Sequence, residues 1–233
     1  MNTKTLQKLG LVIVLLLSTI LYVIQSIKVN DKTSYSGSIV PKKITVQEKK
    51  QKFLDLVVPA VNKVYADLQT KYEEAKKILD NGKSNVKIDK LMKLYSAKNP
   101  QNLLVRMKPH AKSVAIAQAA MESAWATSRF TRVATNLFGV WSLNKNEPRV
   151  VAGKKRGKKT IYVKKYSSIE ASIRDYYRIL ATGKVFDEFR AEKMRSNDPY
   201  KLVKKLDKYS EKGAEYGKEL KSMISYNHFY KFD

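Results

Sequence analysis

Glu122 is the residue whose type and setting best suit chemistry. It is the single carboxylate in SVAIAQAAMESAWATSRF, residues 113–130, a stretch otherwise made almost entirely of small or apolar side chains. At helical spacing it shares a face with Ala115, Gln118 and Ala119 on one side and with Trp125 and Ala126 on the other. Val, Ala, Ile and Met surround the rest of 113–121, the pattern of a helix enclosed by protein. An ionised carboxylate in such a place is costly unless paired, and burial raises its pKa so that the proton stays on near neutral pH. A protonated carboxyl at the wall of a cleft is a general acid, the group that protonates the leaving oxygen in glycoside hydrolysis. The small residues beside it would leave room for a substrate. The same spacing also fits a helix-end glutamate that reaches solvent or pairs with Arg129 or Arg132, and spacing alone does not choose.

Such an acid needs a frame. The chain has 233 residues, 43% of them apolar, enough for one compact core with appendages. The run LGLVIVLLLSTILYVI, residues 9–24, carries no charge and extends to Ile27, about the length that crosses a bilayer. No Ala-x-Ala cleavage pattern follows it. Residues 1–8 therefore read as a cytosolic tail, 9–27 as a transmembrane signal-anchor and 28–50 as a polar tether. Lys4 and Lys8 precede the apolar run and Lys28 and Lys32 follow it, so charge alone does not orient it.

Residues 51–108 read as an N-terminal helical segment that packs on the domain behind it. Phe53, Val57, Val61, Val64 and Leu68 recur at helical spacing, with Pro59 a kink or break. NGKSN at 81–85 is a turn, and Ile88, Leu91, Met92 and Tyr95 mark a second helix. SAKNPQNLLVRMKPH reads as a connector into a helix that starts near Pro109 and opens the domain 109–233. TRVATNLFGVWSLN is irregular, and PRVVAGKKRGKKTIYVKKY is a β-hairpin about a Gly/Lys turn. Ser167 and Glu170 form a capping box for the helix of Ile169, Ile173, Tyr176, Tyr177 and Leu180. Asp198 and Pro199 start another, and Ala214–Tyr226 is the last. The expected fold is mainly α with one small hairpin.

Two segments carry a family likeness. IAQAAMESAWATSRF and NLFGVW resemble the glucosaminidase family of bacterial cell-wall hydrolases, glycoside hydrolase family 73, and KKQKFLDLVVPAVNKV is similar to the amino-terminal helix of its Bax-like members. The likeness spans roughly residues 50–233, with 117–141 its most specific tract. It implies a lysozyme-like, α-rich fold with a small β-lobe across a cleft, and hydrolysis of the β-1,4 bond after N-acetylglucosamine in peptidoglycan with Glu122 as general acid. One departure is Ala126, where the family usually has Gly; another is KPHAKS, where a different helix start is usual.

The reaction generally wants a second carboxylate. Between Glu122 and Glu170 only Glu147 is acidic, which makes it the candidate second acid, or else an exposed loop residue beside Pro148. Glu170 is better explained as a cap and Asp175 as a helix-surface charge. Alternatively the 2-acetamido group of the sugar attacks its own anomeric carbon, and an orienting tyrosine then matters more. DKYSEKGAEYGKEL resembles the family segment that maps Tyr209 onto a tyrosine near the acid; packing is the other explanation for Tyr209 and Tyr216. Trp125, Asn136, Phe138, Trp141 and Tyr166 are the candidate substrate-binding residues, with aromatic faces suited to stacking on sugar rings. Phe138 better suits a core plug, which leaves Trp141 the stronger subsite candidate, and Tyr162 is a further aromatic on the β-lobe.

The net charge of +25 implies an anionic partner. GKKRGKK at 153–159 falls at the hairpin tip, where it would concentrate the protein on an anionic wall; no aromatic interleaving supports nucleic-acid binding. There is no cysteine, and the two histidines, His110 and His228, stand in no ligand pattern, so neither metal nor cofactor is expected. The expected partners are peptidoglycan glycan strands and, through the N-terminal helix, the membrane. The location expected is the bacterial cytoplasmic membrane with the domain outside. The alternative is a catalytically inactive wall-binding or scaffold protein of the same fold.

Overall fold

The computed structural model describes residues 44–156 and 159–233. The tail, the apolar segment 9–27 and most of the tether lie outside the described residues, as do the two residues at the hairpin tip. Among the described residues no helix is long and apolar enough to cross a membrane.

Helix α1 runs over Val46–Asp80. It begins inside the segment read as tether because Thr45 and Glu48 form a reciprocal capping box: the Thr45 side chain accepts from the Glu48 N–H, and Glu48 accepts from the Thr45 N–H at 2.9 Å. The helix passes through Pro59 without ending, with Leu56, Val57, Ala60 and Val61 buried on either side of it. α2 is Val86–Leu94, N-capped by Asn85. The expected connector contains a further helix, α3, Pro100–Met107, whose Asn99 side chain caps the Asn102 N–H with Pro100 in the first turn. Tyr72, Ala75, Ile88, Tyr95, Leu103 and Met107 join α1, α2 and α3 in one apolar cluster.

α4, Lys112–Glu122, is the central helix. Every side chain from Ser113 to Ala120 is buried, as the sequence pattern requires. Its N-terminus lacks a side-chain cap of its own; Asp233 supplies one from a distance, accepting from the Ser113 N–H at 2.8 Å and from the Ser113 hydroxyl at 2.5 Å. α4 packs against α1 and against α9, Ala214–Tyr226. The segment read as irregular opens with a short helix, α5, Arg129–Ala134.

The hairpin is β1, Arg149–Arg156, antiparallel to β2, Lys159–Lys164, with Val150 opposite Val163 and a register shift between Val151 and Lys155. α6, Ile169–Thr182, starts one residue later than expected: Ser168, not Ser167, accepts from the Ala171 N–H, and Glu170 sits in the first turn rather than in a capping box. α7, Asp187–Arg195, and the single turn α8, Pro199–Leu202, complete the helical body, the latter capped by Asp198. Gly217 lets α9 lie directly on the 3-10 turn Val203–Lys205: a Cβ there would stand 2.6 Å from the Val203 carbonyl oxygen.

Candidate active site

Glu122 is the last residue of α4. The chain does not continue as helix to Trp125 and Ala126. It turns through three successive non-glycine residues with left-handed backbone, Ala124 (φ 50°), Trp125 (φ 62°) and Ala126 (φ 60°). Ser123 holds this turn together, its hydroxyl donating to the Ala119 carbonyl at 2.5 Å and accepting from the Ala126 N–H at 2.7 Å. The helix end thus presents Glu122 at the surface of a rigid, enclosed helix.

The helix-end placement fits the alternative of a solvent-reaching glutamate, and the residue as a whole is exposed. Its carboxyl nevertheless has protein on one side. Tyr216 of α9 donates its hydroxyl to Oε1 at 2.8 Å. Behind it, Gln118, one turn earlier on α4, donates Nε2 to the Tyr216 hydroxyl at 3.0 Å, and Tyr176 of α6 donates to Gln118 Oε1 at 2.6 Å. Tyr176 and Gln118 thereby fix the direction of the last bond: with its oxygen receiving from the amide, the Tyr216 proton is aimed at the acid. Desolvation on the protein side is the largest influence on Glu122 and raises its pKa; the Tyr216 hydrogen bond and Lys212 pull it down without cancelling the rise, and Glu219 adds to it. Exposure and upward shift describe two sides of one carboxyl. Arg129 is used elsewhere, donating to the Val151 carbonyl at 3.0 Å and tying α5 to the hairpin.

Tyr209, the tyrosine singled out from the sequence, makes no hydrogen bond to the acid. It stacks on Tyr216, with ring centroids 5.4 Å apart and planes 13° apart, and is half-buried. Tyr216 and Gln118 are the residues that sequence reasoning passed over. Gln118 was visible as the i−4 neighbour on the Glu122 face, but nothing local marks Tyr216, whose partner is 94 residues away.

The remaining candidates separate cleanly. Asn136 is 1% exposed, and its amide is consumed inside the loop, donating to the Val140 and Lys164 carbonyls at 3.0 and 2.9 Å and accepting from the Val140 N–H at 3.0 Å. It is a loop clamp and has no group left for a ligand. Phe138 is buried and stacked on Tyr176 at 4.1 Å, which makes it core. Trp141, by contrast, is 51% exposed beside β2, bridged to Val163. Trp125 packs edge-on against Phe53 and Phe229, carries Lys50 Nζ 5.0 Å from its ring centroid, and with Met121 lines a groove of about 530 Å³ along α9.

Glu147 lies elsewhere. It accepts from the Ser142 hydroxyl at 2.8 Å and faces Lys164 at 3.5 Å. Burial pushes its pKa up, but Ser142 and Lys164 outweigh this and hold it below the usual range. With Tyr166, Lys164 and Asp175 it lines an open pocket of about 540 Å³ that Glu122 does not line. Tyr166 donates to Asp175 Oδ2 at 2.7 Å; burial and this carboxylate drive its phenol far above the ordinary value. Asp175 also pairs with Lys164 and Arg178, so it is part of a partly buried network rather than a plain surface charge.

A mainly helical body with a small two-stranded antiparallel sheet defines the lysozyme-like class of folds. Residues 97–229, more than half of the chain, match the family model described as mannosyl-glycoprotein endo-beta-N-acetylglucosaminidase, and the protein belongs to this glucosaminidase family of glycoside hydrolases. Among solved structures, the catalytic domain of the autolysin Auto from Listeria monocytogenes is similar at 20% identity and a TM-score of 0.52, over 82% of this chain and 92% of that one. An N-acetylmuramoyl-L-alanine amidase from Staphylococcus aureus aligns at 17% identity and a TM-score of 0.49, over 82% of this chain and 44% of that one. The glycoside hydrolase domain of FlgJ from Salmonella typhimurium aligns at 17% identity and a TM-score of 0.41, over 59% and 97%. No curated protein matches the chain by sequence.

Proposed function

We propose that the protein is a peptidoglycan hydrolase that cleaves the β-1,4 bond after N-acetylglucosamine, with Glu122 as general acid. The observation that carries this reading is the Glu122 carboxyl held at Oε1 by Tyr216 with its pKa raised by desolvation. Oriented in this way, the other oxygen bears the proton and gives it to the leaving glycosidic oxygen. The groove lined by Trp125 and by Met121, the residue before the acid, and exposed Trp141 are the surfaces that suit the glycan strand, although Glu122 does not itself line the groove.

Glu147 is left out of this mechanism because its carboxylate is already engaged by Ser142 and Lys164. Glu122 then acts as the one protein carboxyl, and the 2-acetamido group of the sugar closes on the anomeric carbon as the leaving oxygen is protonated; water later opens the ring so formed. Tyr209 supports Tyr216 by stacking. The likeness of residues 49–64 to the amino-terminal helix of Bax-like proteins supports reading the chain as a member of that subgroup. The same reading has the apolar segment 9–27 anchor the domain on the outer face of the cytoplasmic membrane; a carboxyl-terminal reporter active only in the cytoplasm would sink that part.

The deciding experiment digests purified peptidoglycan with the full chain, wild type beside Glu122→Gln, followed by borohydride reduction and mass spectrometry. Fragments ending in reduced N-acetylglucosamine, made by the wild type alone, are expected. Reduced muramic acid or anhydro ends would assign a different bond or chemistry. Salt-sensitive binding to the wall with no product from either protein would instead make it a wall-binding scaffold.

A further inference from the structure

A third cavity, which shares no residue with the Glu122 site, lies among α1, α2, α3, α6 and α7. It encloses about 260 Å³. One part of its wall is apolar, formed by Leu68, Leu91, Met107, Tyr177 and Leu180 among others. Leu68 and Leu91 precede the residues matched by the family model, so part of this cavity is built by a segment outside that match.

The charge of the cavity is one-sided. Lys71, Arg106, Lys108, Arg174, Arg178 and Lys193 line it, and no carboxylate does. Three of them are answered from outside the lining: Lys71 and Arg174 both pair with Asp67, and Arg178 pairs with Asp175. The other three form no ion pair with a carboxylate among the described residues, and Asp187, which acts on Arg106 from farther away, is already paired with Arg190. Arg106 donates Nη1 to the Tyr95, Ala181 and Thr182 carbonyls and Nε to Asn102. Lys193, 3% exposed, reaches the Arg106 and Lys108 carbonyls. Burial, then Arg190, Lys108 and Arg106 beside it, lower the Lys193 ammonium to about 7. Arg190 itself is satisfied by Asp187 and by the Leu180 and Gly183 carbonyls. Carbonyls meet the hydrogen-bonding needs of Arg106 and Lys193, but they supply no net negative charge, and an uncompensated buried cation is costly.

A polar atom points to the same gap. His110 lines the cavity and is 2% exposed. Its Nδ1 lies 3.0 Å from the Ala111 carbonyl, so the neutral ring carries its proton there, and Nε2 is a buried acceptor with no partner. Burial, with Lys193 nearby, keeps the ring neutral, its pKa down at about 3.

We propose that this cavity binds a small amphipathic anion, its carboxylate or phosphate head against Lys193, Arg106 and Lys108 and its short apolar tail against Leu68, Leu91 and Met107. The head supplies the missing negative charge, and a hydroxyl of the head, or a water bound with it, donates to His110 Nε2. The volume is slightly below the roughly 300–1,000 Å³ of pockets that take drug-sized ligands, which limits the tail to a short one.

The test titrates the full chain held in lipid nanodiscs, with empty nanodiscs as the blank, with sodium octanoate, with hexyl phosphate and with neutral hexanol, following the melting temperature and the His110 imidazole signal by NMR. His228 is the only other histidine and serves as internal control. Saturable binding of an anion, a rise in melting temperature and a shift of the His110 signal alone are expected, and the tighter of the two anions identifies the head group. Lys193→Met should weaken binding at least tenfold. Leu91→Trp, which fills the cavity without touching its charge, should abolish binding, and it keeps the test valid if Lys193→Met does not fold. Equal binding of hexanol would reduce the site to an apolar hole. Wild-type affinity in both variants, or no shift at His110, would overturn the proposal.

Discussion

Tyr216 donates its hydroxyl proton to Oε1 of Glu122 at 2.8 Å, and Gln118 behind it leaves that proton nowhere else to point. A donor aimed at one carboxyl oxygen does two things at once. It fixes which oxygen faces the substrate, and it favours the ionised form. Tyr216→Phe removes both. The turnover number is expected to fall about tenfold or more from lost orientation. The alkaline limb of the pH–rate profile is expected to move to higher pH, because the acid then holds its proton longer. A profile that drops in height without moving would mean that Tyr216 only packs.

Glu122→Gln should cost about 10²–10⁴ in rate, the usual worth of a positioned general acid. It should also change stability, with a sign set by the raised pKa. A carboxyl that binds its proton more tightly when folded contributes stability that is fully present below the unfolded value of about 4.3 and is lost as pH rises through the folded value. Gln never ionises. Wild type and variant should therefore melt together near pH 4, and the variant should melt higher above neutrality. Scanning calorimetry at the two pH values checks this; a variant that melts lower at pH 8 would mean that ionised Glu122 is stabilising.

Glu147→Gln separates the two routes to the glycosyl intermediate. With Ser142 and Lys164 engaging the carboxylate, the substitution is expected to leave turnover within about threefold of wild type, far from the loss that follows removal of a catalytic carboxylate. A hundredfold fall, with the fold intact by circular dichroism, would restore Glu147 as base or nucleophile.

The parts of this molecule that were legible in its sequence are those with a local cause. Asp198 followed by Pro199 starts a helix where capping chemistry says it must, the hairpin forms at its β-branched runs, and Ala214–Tyr226 is helical over the span expected. α3 went unread because eight residues with one strong cap look like a connector until a partner core covers Leu103 and Met107. At the site, Glu122 stood out as one acid in an apolar run. Tyr216 did not, because its role is fixed by how α9 settles on α4. Asn136 and Phe138 have residue types that serve either a sugar or a core, and only their burial distinguishes the two.

Asn136→Ala tests that distinction. The substitution leaves the Val140 N–H without its partner and removes the amide donor from the Val140 and Lys164 carbonyls around the root of the hairpin, although the Val140 carbonyl still accepts from the Lys164 N–H at 2.9 Å. Leaving buried polar groups unpaired costs about 1–3 kcal/mol each where water cannot replace the bond, so a loss of a few kcal/mol in unfolding free energy is expected. A saccharide-contacting residue would instead raise KM and leave denaturant midpoints unchanged.

Ala126 holds a left-handed backbone, a conformation that glycine adopts without steric cost. At φ 60° an L side chain sets its Cβ against its own carbonyl oxygen, a cost of about 1–2 kcal/mol that glycine avoids. Part of that gain is offset because glycine loses more freedom on folding. Ala126→Gly is accordingly expected to stabilise the protein by about 0.5–1 kcal/mol, read as a higher denaturant midpoint at unchanged slope. Ala126 is 2% exposed, so the methyl group is not in a cleft and substrate affinity should not change. A lower KM in the glycine variant would mean that the methyl group reaches the substrate after all, and a lower midpoint would mean that its packing outweighs the strain.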